Sequence, residues 1–175
     1  GEIELTAQGD VKAKLKRVSK GTQYDDKAYF ETFNDEELIK NYKSEVWSYN
    51  NNLEVNAVTL KNDKDNVVFT EDLALSIKNY ASISETEYLF RVNVFNRISY
   101  VPKRYRTRKL PLKIRRGYKD VDIYTIKIPS TYTIAYLPEA REINSKFGSY
   151  KITFKKVDES TFTYEKNISI KEGVF

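Results

Sequence analysis

Cysteine, histidine and methionine are all absent from the 175 residues. Without cysteine there are no disulfides and no thiolate ligands. Without histidine as well, the usual zinc sites and the Cys-His and Ser-His dyads are excluded. Any catalysis would have to rest on carboxylates, lysine, tyrosine or serine. The missing methionine suggests a piece cut from a longer parent, with Gly1 as a processing scar. Glycine (6), proline (4) and tryptophan (1) are scarce, and no apolar run approaches the roughly 18 residues that span a bilayer. No membrane insertion is expected, and no cofactor motif (G-x-G-x-x-G, phosphate loop, G-x-S-x-G or S-x-x-K) is present.

Aromatic residues are abundant, with 14 tyrosines and 9 phenylalanines, and such residues favour pleated, half-covered surfaces. From Pro111 to Ile170 they fall into a period of two. Tyr124, Ile126 and Ile128 alternate up to Pro129, and Tyr132, Ile134 and Tyr136 up to Pro138. Tyr150, Ile152 and Phe154 follow Phe147-Gly148-Ser149, and Phe162, Tyr164, Ile168 and Ile170 come last. Alternation of this length predicts four half-buried antiparallel strands. The fold class expected is mainly β, an antiparallel β-sandwich-like domain with one amphipathic helix (about residues 35–49) packed on a sheet. Residues 1–175 suit a single β-rich domain. A two-lobe arrangement would divide it into 1–98, strands plus helix, and 99–175, all strand.

Nearer the amino terminus a strand pair is expected around Gly9-Asp10, with Val11, Ala13 and Leu15 facing in and Lys12, Lys14 and Lys16 facing out. The helix has an explicit start. Asn34 caps it, Glu37 supplies the reciprocal half of a capping box, and Leu38, Ile39, Tyr42, Val46 and Tyr49 form its stripe. Trp47, beside that stripe, reads as core. Strands are expected on either side of Asn62–Asn66, whose Asp63 and Asp65 resemble a calcium loop only in part. The required glycine position is Val68 and the bidentate acid position is Ala74, so the stretch reads as a hairpin turn. Tyr88, Phe90, Val92 and Val94 suggest another strand, and Asn96 to Lys109 a hinge.

The net charge of +5 is concentrated. From Phe95 to Lys119 there are ten basic residues and no acidic one, and the remainder holds 20 basic against 25 acidic. The band Lys103, Arg104, Arg106, Arg108, Lys109, Lys113, Arg115 and Arg116 is a candidate anion- or partner-binding surface, with an anionic glycan as one ligand class. It carries no nucleic-acid-binding motif, so nucleic acid is not the partner expected. Acid pairs such as Glu85 and Glu87 leave a carboxylate-dependent hydrolase as a further alternative, which needs two acids facing across a cleft.

The segments RRGYKDVDIYTIKIP, YTIAYLPEAREI and FGSYKITF resemble the C-terminal uncharacterised domain of bacterial transglutaminase-like envelope proteins. Leu137-Pro138-Glu139 followed by Phe147-Gly148-Ser149-Tyr150 carries the resemblance most specifically. It implies an exported chain in the periplasm or cell envelope, and a non-catalytic accessory or interaction domain that docks a catalytic core or envelope partner. The family's catalytic Cys, His and Asp belong to that core, so no catalytic residue carries over and no metal or cofactor is implied.

Overall fold

The computed structural model describes residues 1–85, 87–98, 106–107 and 109–175. Its strands are β1 (Glu2–Leu5), β2 (Val11–Lys20), β3 (Leu53–Asp63), β4 (Val68–Ile77), β5 (Ser82–Ile83), β6 (Tyr88–Leu89), β7 (Lys113–Ile114), β8 (Tyr118–Lys127), β9 (Arg141–Ser145), β10 (Gly148–Lys156), β11 (Thr161–Ile170) and β12 (Gly173–Val174). Eight of them form one mixed sheet in the order β3-β4-β2-β1-β8-β11-β10-β9. Every neighbouring pair is antiparallel except β1 with β8, which run parallel. The chain is mainly β and sandwich-like, with helices and long loops covering one face of the sheet. No helix among the described residues is long and apolar enough to cross a membrane.

The alternation seen in sequence sets the two faces. Ile3, Leu5, Val11, Ala13, Leu15, Phe69, Leu73, Leu75, Ile77, Tyr124, Ile126, Phe162 and Tyr164 are buried on the covered face. The intervening residues, such as Lys12, Lys14, Thr125 and Lys127, point to solvent on the other. Strands β8 to β11 make a Greek key. Three strands, β9, β10 and β11, follow one another by hairpins, and β8 lies beside β11 after a long connection. That connection corrects one expectation. Residues 132–136 alternate but form no ladder, because they belong to the crossover from β8 to the far edge of the sheet. Tyr132 closes a turn on the Pro129 carbonyl (3.0 Å), Ile134 bonds the Glu159 carbonyl (3.3 Å), and Arg141–Ser145 supplies the edge strand instead. Likewise only Tyr88–Leu89 of the segment around Phe90 is a strand, and Glu85 lies in the turn before it.

Glycine is required at two tight positions. Gly9 has φ +83°, and its carbonyl accepts from Tyr80 and Ala81. Gly148 has φ +153°, and a β-carbon there would collide with the Ser169 carbonyl.

The capping box is present as expected, with Glu37 N–H donating to Asn34 Oδ1 (2.9 Å) and Asn34 N–H to Glu37 Oε2 (3.1 Å). The helix itself departs from the expected stripe. It is α-helical over Asp35–Asn41 (α2), then widens to a π-helical turn over Tyr42–Val46. In an α-helix, residues five apart diverge by roughly 140°. The wider turn, closed by Trp47 N–H on the Tyr42 carbonyl (2.9 Å), turns both rings inward. They stack at 5.2 Å, and both are fully buried. A short helix before it, α1 (Thr22–Ala28), follows β2, and none of its residues is fully buried.

Candidate functional site

Charged residues stand on the covered face at positions where the alternation calls for apolar ones, among them Arg17, Glu71, Asp122 and Lys166. Arg17 on β2 lies opposite Glu71 on β4, and Asp122 on β8 opposite Lys166 on β11. Lys166 is 2% exposed, and its Nζ lies 2.6 Å from Asp122 Oδ2 and 2.7 Å from the Asn96 carbonyl it donates to. The Asn96 side-chain amide donates to both Asp122 oxygens (3.0 and 2.9 Å). A buried ion pair persists when such additional bonds satisfy it.

Glu71, fully buried, accepts from Tyr42 Oη (2.6 Å) and, more weakly, from Arg17 Nη1 (3.4 Å), while its Oε2 has no partner. Burial first, and the Glu71 charge second, push the Tyr42 hydroxyl far above its ordinary value. It therefore stays a neutral donor. The Arg17 guanidinium also lies over Trp47, 5.4 Å from the ring centroid.

The segment after β6 is pinned at the same place. Trp47 Nε1 donates to the Phe95 carbonyl (2.8 Å) and Asn50 Nδ2 to the Val94 carbonyl (3.1 Å). Arg97 donates to Tyr80 Oη (2.9 Å) and Asn50 Oδ1 (3.3 Å), with Tyr49 4.6 Å beneath its guanidinium.

Of these residues, Arg17, Trp47, Tyr49, Asn96, Arg97 and Asp122 border a cleft of about 450 Å³. Its walls are Leu15–Ser19 of β2 and Lys119–Tyr124 of β8, and Gly1 closes one end. Its floor is Gln23, Asp26 and Lys27 of α1, with Val46, Trp47 and Phe95–Arg97. Gln23 Nε2 reaches across to Asp120 Oδ1 (2.5 Å). Lys27, over the Phe30 ring at 4.7 Å, has its pKa lowered by burial and then by the Arg17 charge.

Residues 86–175, just over half of the chain, match the family described as a domain of unknown function with a solved structure, DUF3858. The chain belongs to the DUF3858 family. No curated protein and no solved structure matches it. One wall of the cleft, β8 with Asn96 and Arg97, lies within the DUF3858 match, and the opposite wall and most of the floor precede it.

The basic band does not converge on this cleft. Lys103, Arg104 and Arg108 lie outside the described residues, as does most of the expected hinge. Arg106, Lys109, Lys113, Arg115 and Arg116 are exposed, and none of them lines the cleft. Among the described residues, no group of three or more carboxylates is assembled as a metal site. Of the cleft carboxylates, Asp120 is held by Gln23 and Asp122 by Lys166 and Asn96.

Proposed function

We propose that the chain is a non-catalytic accessory domain that docks a partner polypeptide at the outer mouth of the β2–β8 cleft. The observation that carries this reading is the composition of that mouth. Over β1 and its neighbours the open face of the sheet is charged or hydroxylic. At the cleft it changes to Val18, Val121 and Ile123, which are 49%, 48% and 56% exposed. A local apolar cluster rimmed by charge is the usual make-up of a protein-binding patch. The resemblance to transglutaminase-like envelope proteins supports a transglutaminase-type catalytic core as the partner, and the cell envelope or periplasm as the place.

Calorimetry tests this with such a core, taken from a bacterial envelope protein of the resembled kind. Binding is expected to the native chain and to be lost with Val121→Asp/Ile123→Asp, while the circular dichroism of the chain is unchanged. An absence of binding, or binding indifferent to those substitutions, refutes the reading. So does turnover of peptide, ester or glycoside by the isolated chain that disappears when one carboxylate, such as Asp120, becomes the amide.

A further inference from the structure

We infer that a second cavity, which adjoins the β2–β8 cleft at Tyr49 and Arg97, binds a sugar acid, a hydroxylated ring that carries a carboxylate. The inference goes beyond the docking reading and does not rest on it. The cavity holds about 460 Å³, within the roughly 300–1,000 Å³ of small-molecule sites. Three turns meet to form it. Asn50–Asn52 come from the turn before β3, Ile77–Tyr80 from the end of β4, and Leu89–Arg91 from the end of β6, with Arg97 added from the segment beyond. The first two turns are tied together, the Lys78 amide donating to the Asn52 carbonyl (3.2 Å) and Asn52 Nδ2 to the Lys78 carbonyl (3.1 Å). Asn79 takes the left-handed backbone (φ +53°) that asparagine tolerates.

The charge of this cavity is unbalanced. Lys78, Arg91 and Arg97 line it, and no carboxylate does among the described residues. Lys78 is matched by Asp10, whereas neither arginine has a carboxylate partner among the described residues. Arg97 is partly buried, and the acceptors it reaches are neutral. Its Nε donates to the Asn93 carbonyl (3.1 Å), and its Nη2 to Asn50 Oδ1 (3.3 Å) and Tyr80 Oη (2.9 Å). The rings of Tyr49 and Tyr80 lie 4.6 and 5.8 Å from its guanidinium. Nη1 has no partner among the described residues. The Arg91 charge is felt at the same place. Burial pushes the Tyr80 hydroxyl above its ordinary value, and Arg97 first, then Arg91, oppose that rise. The neutral bonds account for the place of Arg97 in the fold. They do not account for a second arginine at the same hydroxyl with no acid opposite either, because a desolvated cation is costly until an anion joins it. A carboxylate is the anion that a planar guanidinium grips at two points.

The remaining lining suits hydroxyl groups. Asn50 is occupied by Val94 and Arg97. Asn51 and Asn79 are exposed, and their side chains make no bond among the described residues, while Asn52 uses only its Nδ2. A primary amide offers two donors and an acceptor, which matches a ring hydroxyl that both donates and accepts. Leu89, 62% exposed, and Phe90 supply an apolar flank for the C–H face of the ring. A bare anion would engage the arginines and leave these amides idle. The ligand class is therefore one that carries a carboxylate and several hydroxyls together.

The probe is D-galacturonate, titrated while NMR follows the side-chain amides of Asn51, Asn52 and Asn79. Galactose, the same ring without the carboxylate, and acetate, the carboxylate without the ring, are the controls. Saturable shifts are expected with galacturonate, and about tenfold weaker binding of either control. Arg91→Gln should weaken galacturonate about tenfold and Asn51→Ala about threefold. Neither side chain bonds to another described residue, so both variants should keep the native circular dichroism spectrum. Trigalacturonate identifies the source. Tighter binding than the monomer marks a unit within a polymer, equal binding marks a free sugar acid, and both support the site. The proposal is overturned by an absence of saturable shifts at these asparagines, by equal binding of either control, or by indifference to Arg91→Gln. Shifts confined to Arg106, Lys109 and Lys113 overturn it as well, since they would place the anion on the basic band.

Discussion

Removing the Lys166 ammonium tests whether the cross-strand pair with Asp122 holds the two strands of the Greek key and the segment around Asn96 together. In Lys166→Met the Asp122 carboxylate keeps both contacts from the Asn96 amide, and its side chain is 14% exposed toward the cleft. Loss of one partner of a buried pair costs about 3–5 kcal/mol, and partial access to water puts this variant at the lower end, about 3 kcal/mol. Asp122→Leu is worse. It leaves an ammonium that is 2% exposed with only the Asn96 carbonyl, so about 5 kcal/mol is expected. Combining Lys166→Met with Asp122→Leu removes both charges, and an apolar replacement of a buried pair is neutral or even stabilising. The double variant should therefore stand close to the native chain. Urea unfolding followed by circular dichroism reads all three, and thermal midpoints should fall by about 10 °C for Lys166→Met at this chain length. A loss below about 1 kcal/mol for that variant, or a double variant no better than the worse single, would refute the reasoning.

Other expectations follow from the same geometry. Tyr42→Phe removes the close donor to the buried Glu71 carboxylate and should cost about 2 kcal/mol by chemical denaturation, whereas Glu71→Gln together with Tyr42→Phe should cost less than the two singles summed. Gly148→Ala forces a side chain against the Ser169 carbonyl at a positive φ, so a loss of 2 kcal/mol or more is expected, with β9 and β10 losing amide protection first. Asp10 is bonded by Lys78 Nζ (2.6 Å) and the Asn79 amide (3.0 Å), which hold its carboxyl below the ordinary range. Its contribution is therefore complete above the unfolded carboxylate pKa and disappears as pH falls through the lower folded value. Asp10→Asn should flatten that acid limb of the stability profile while changing little at acid extremes, and an unchanged limb would count against it.

Much of this fold was legible because apolar parity and strand parity coincide. Val11, Ala13 and Leu15 of β2, and Phe162, Tyr164 and Ile168 of β11, are inward as their spacing required. The capping box located α2 because Asn34 and Glu37 act locally. Where structure and local pattern differ, tertiary position overrides the pattern. Tyr132 and Ile134 alternate because they lie over the core, not because a neighbouring strand pairs with them. Helix α1 shows no stripe because its inner face floors a polar cleft.

The cleft does leave a trace in the sequence. Arg17, Glu71, Asp122 and Lys166 each interrupt an apolar series at the inward position, and charged residues at such positions seek one another across strands. Which pairs form depends on which strands are neighbours, here β2 with β4 and β8 with β11. Local periodicity does not encode it. The basic band is concentrated in sequence, and its described members are exposed and stand apart from the cleft.

The placement of β1 also governs how the chain reaches its native state. The junction of β1 with β8 joins residues about 120 positions apart, so the middle of the sheet closes only through a long-range contact. Until it closes, the Greek key and the half-sheet of β1 to β4 each present an open edge. Folding should accordingly be slow for the size of the protein, as for other non-local topologies. The interval in which those edges lie bare is when the nascent chain is most exposed to mispairing with other copies of itself.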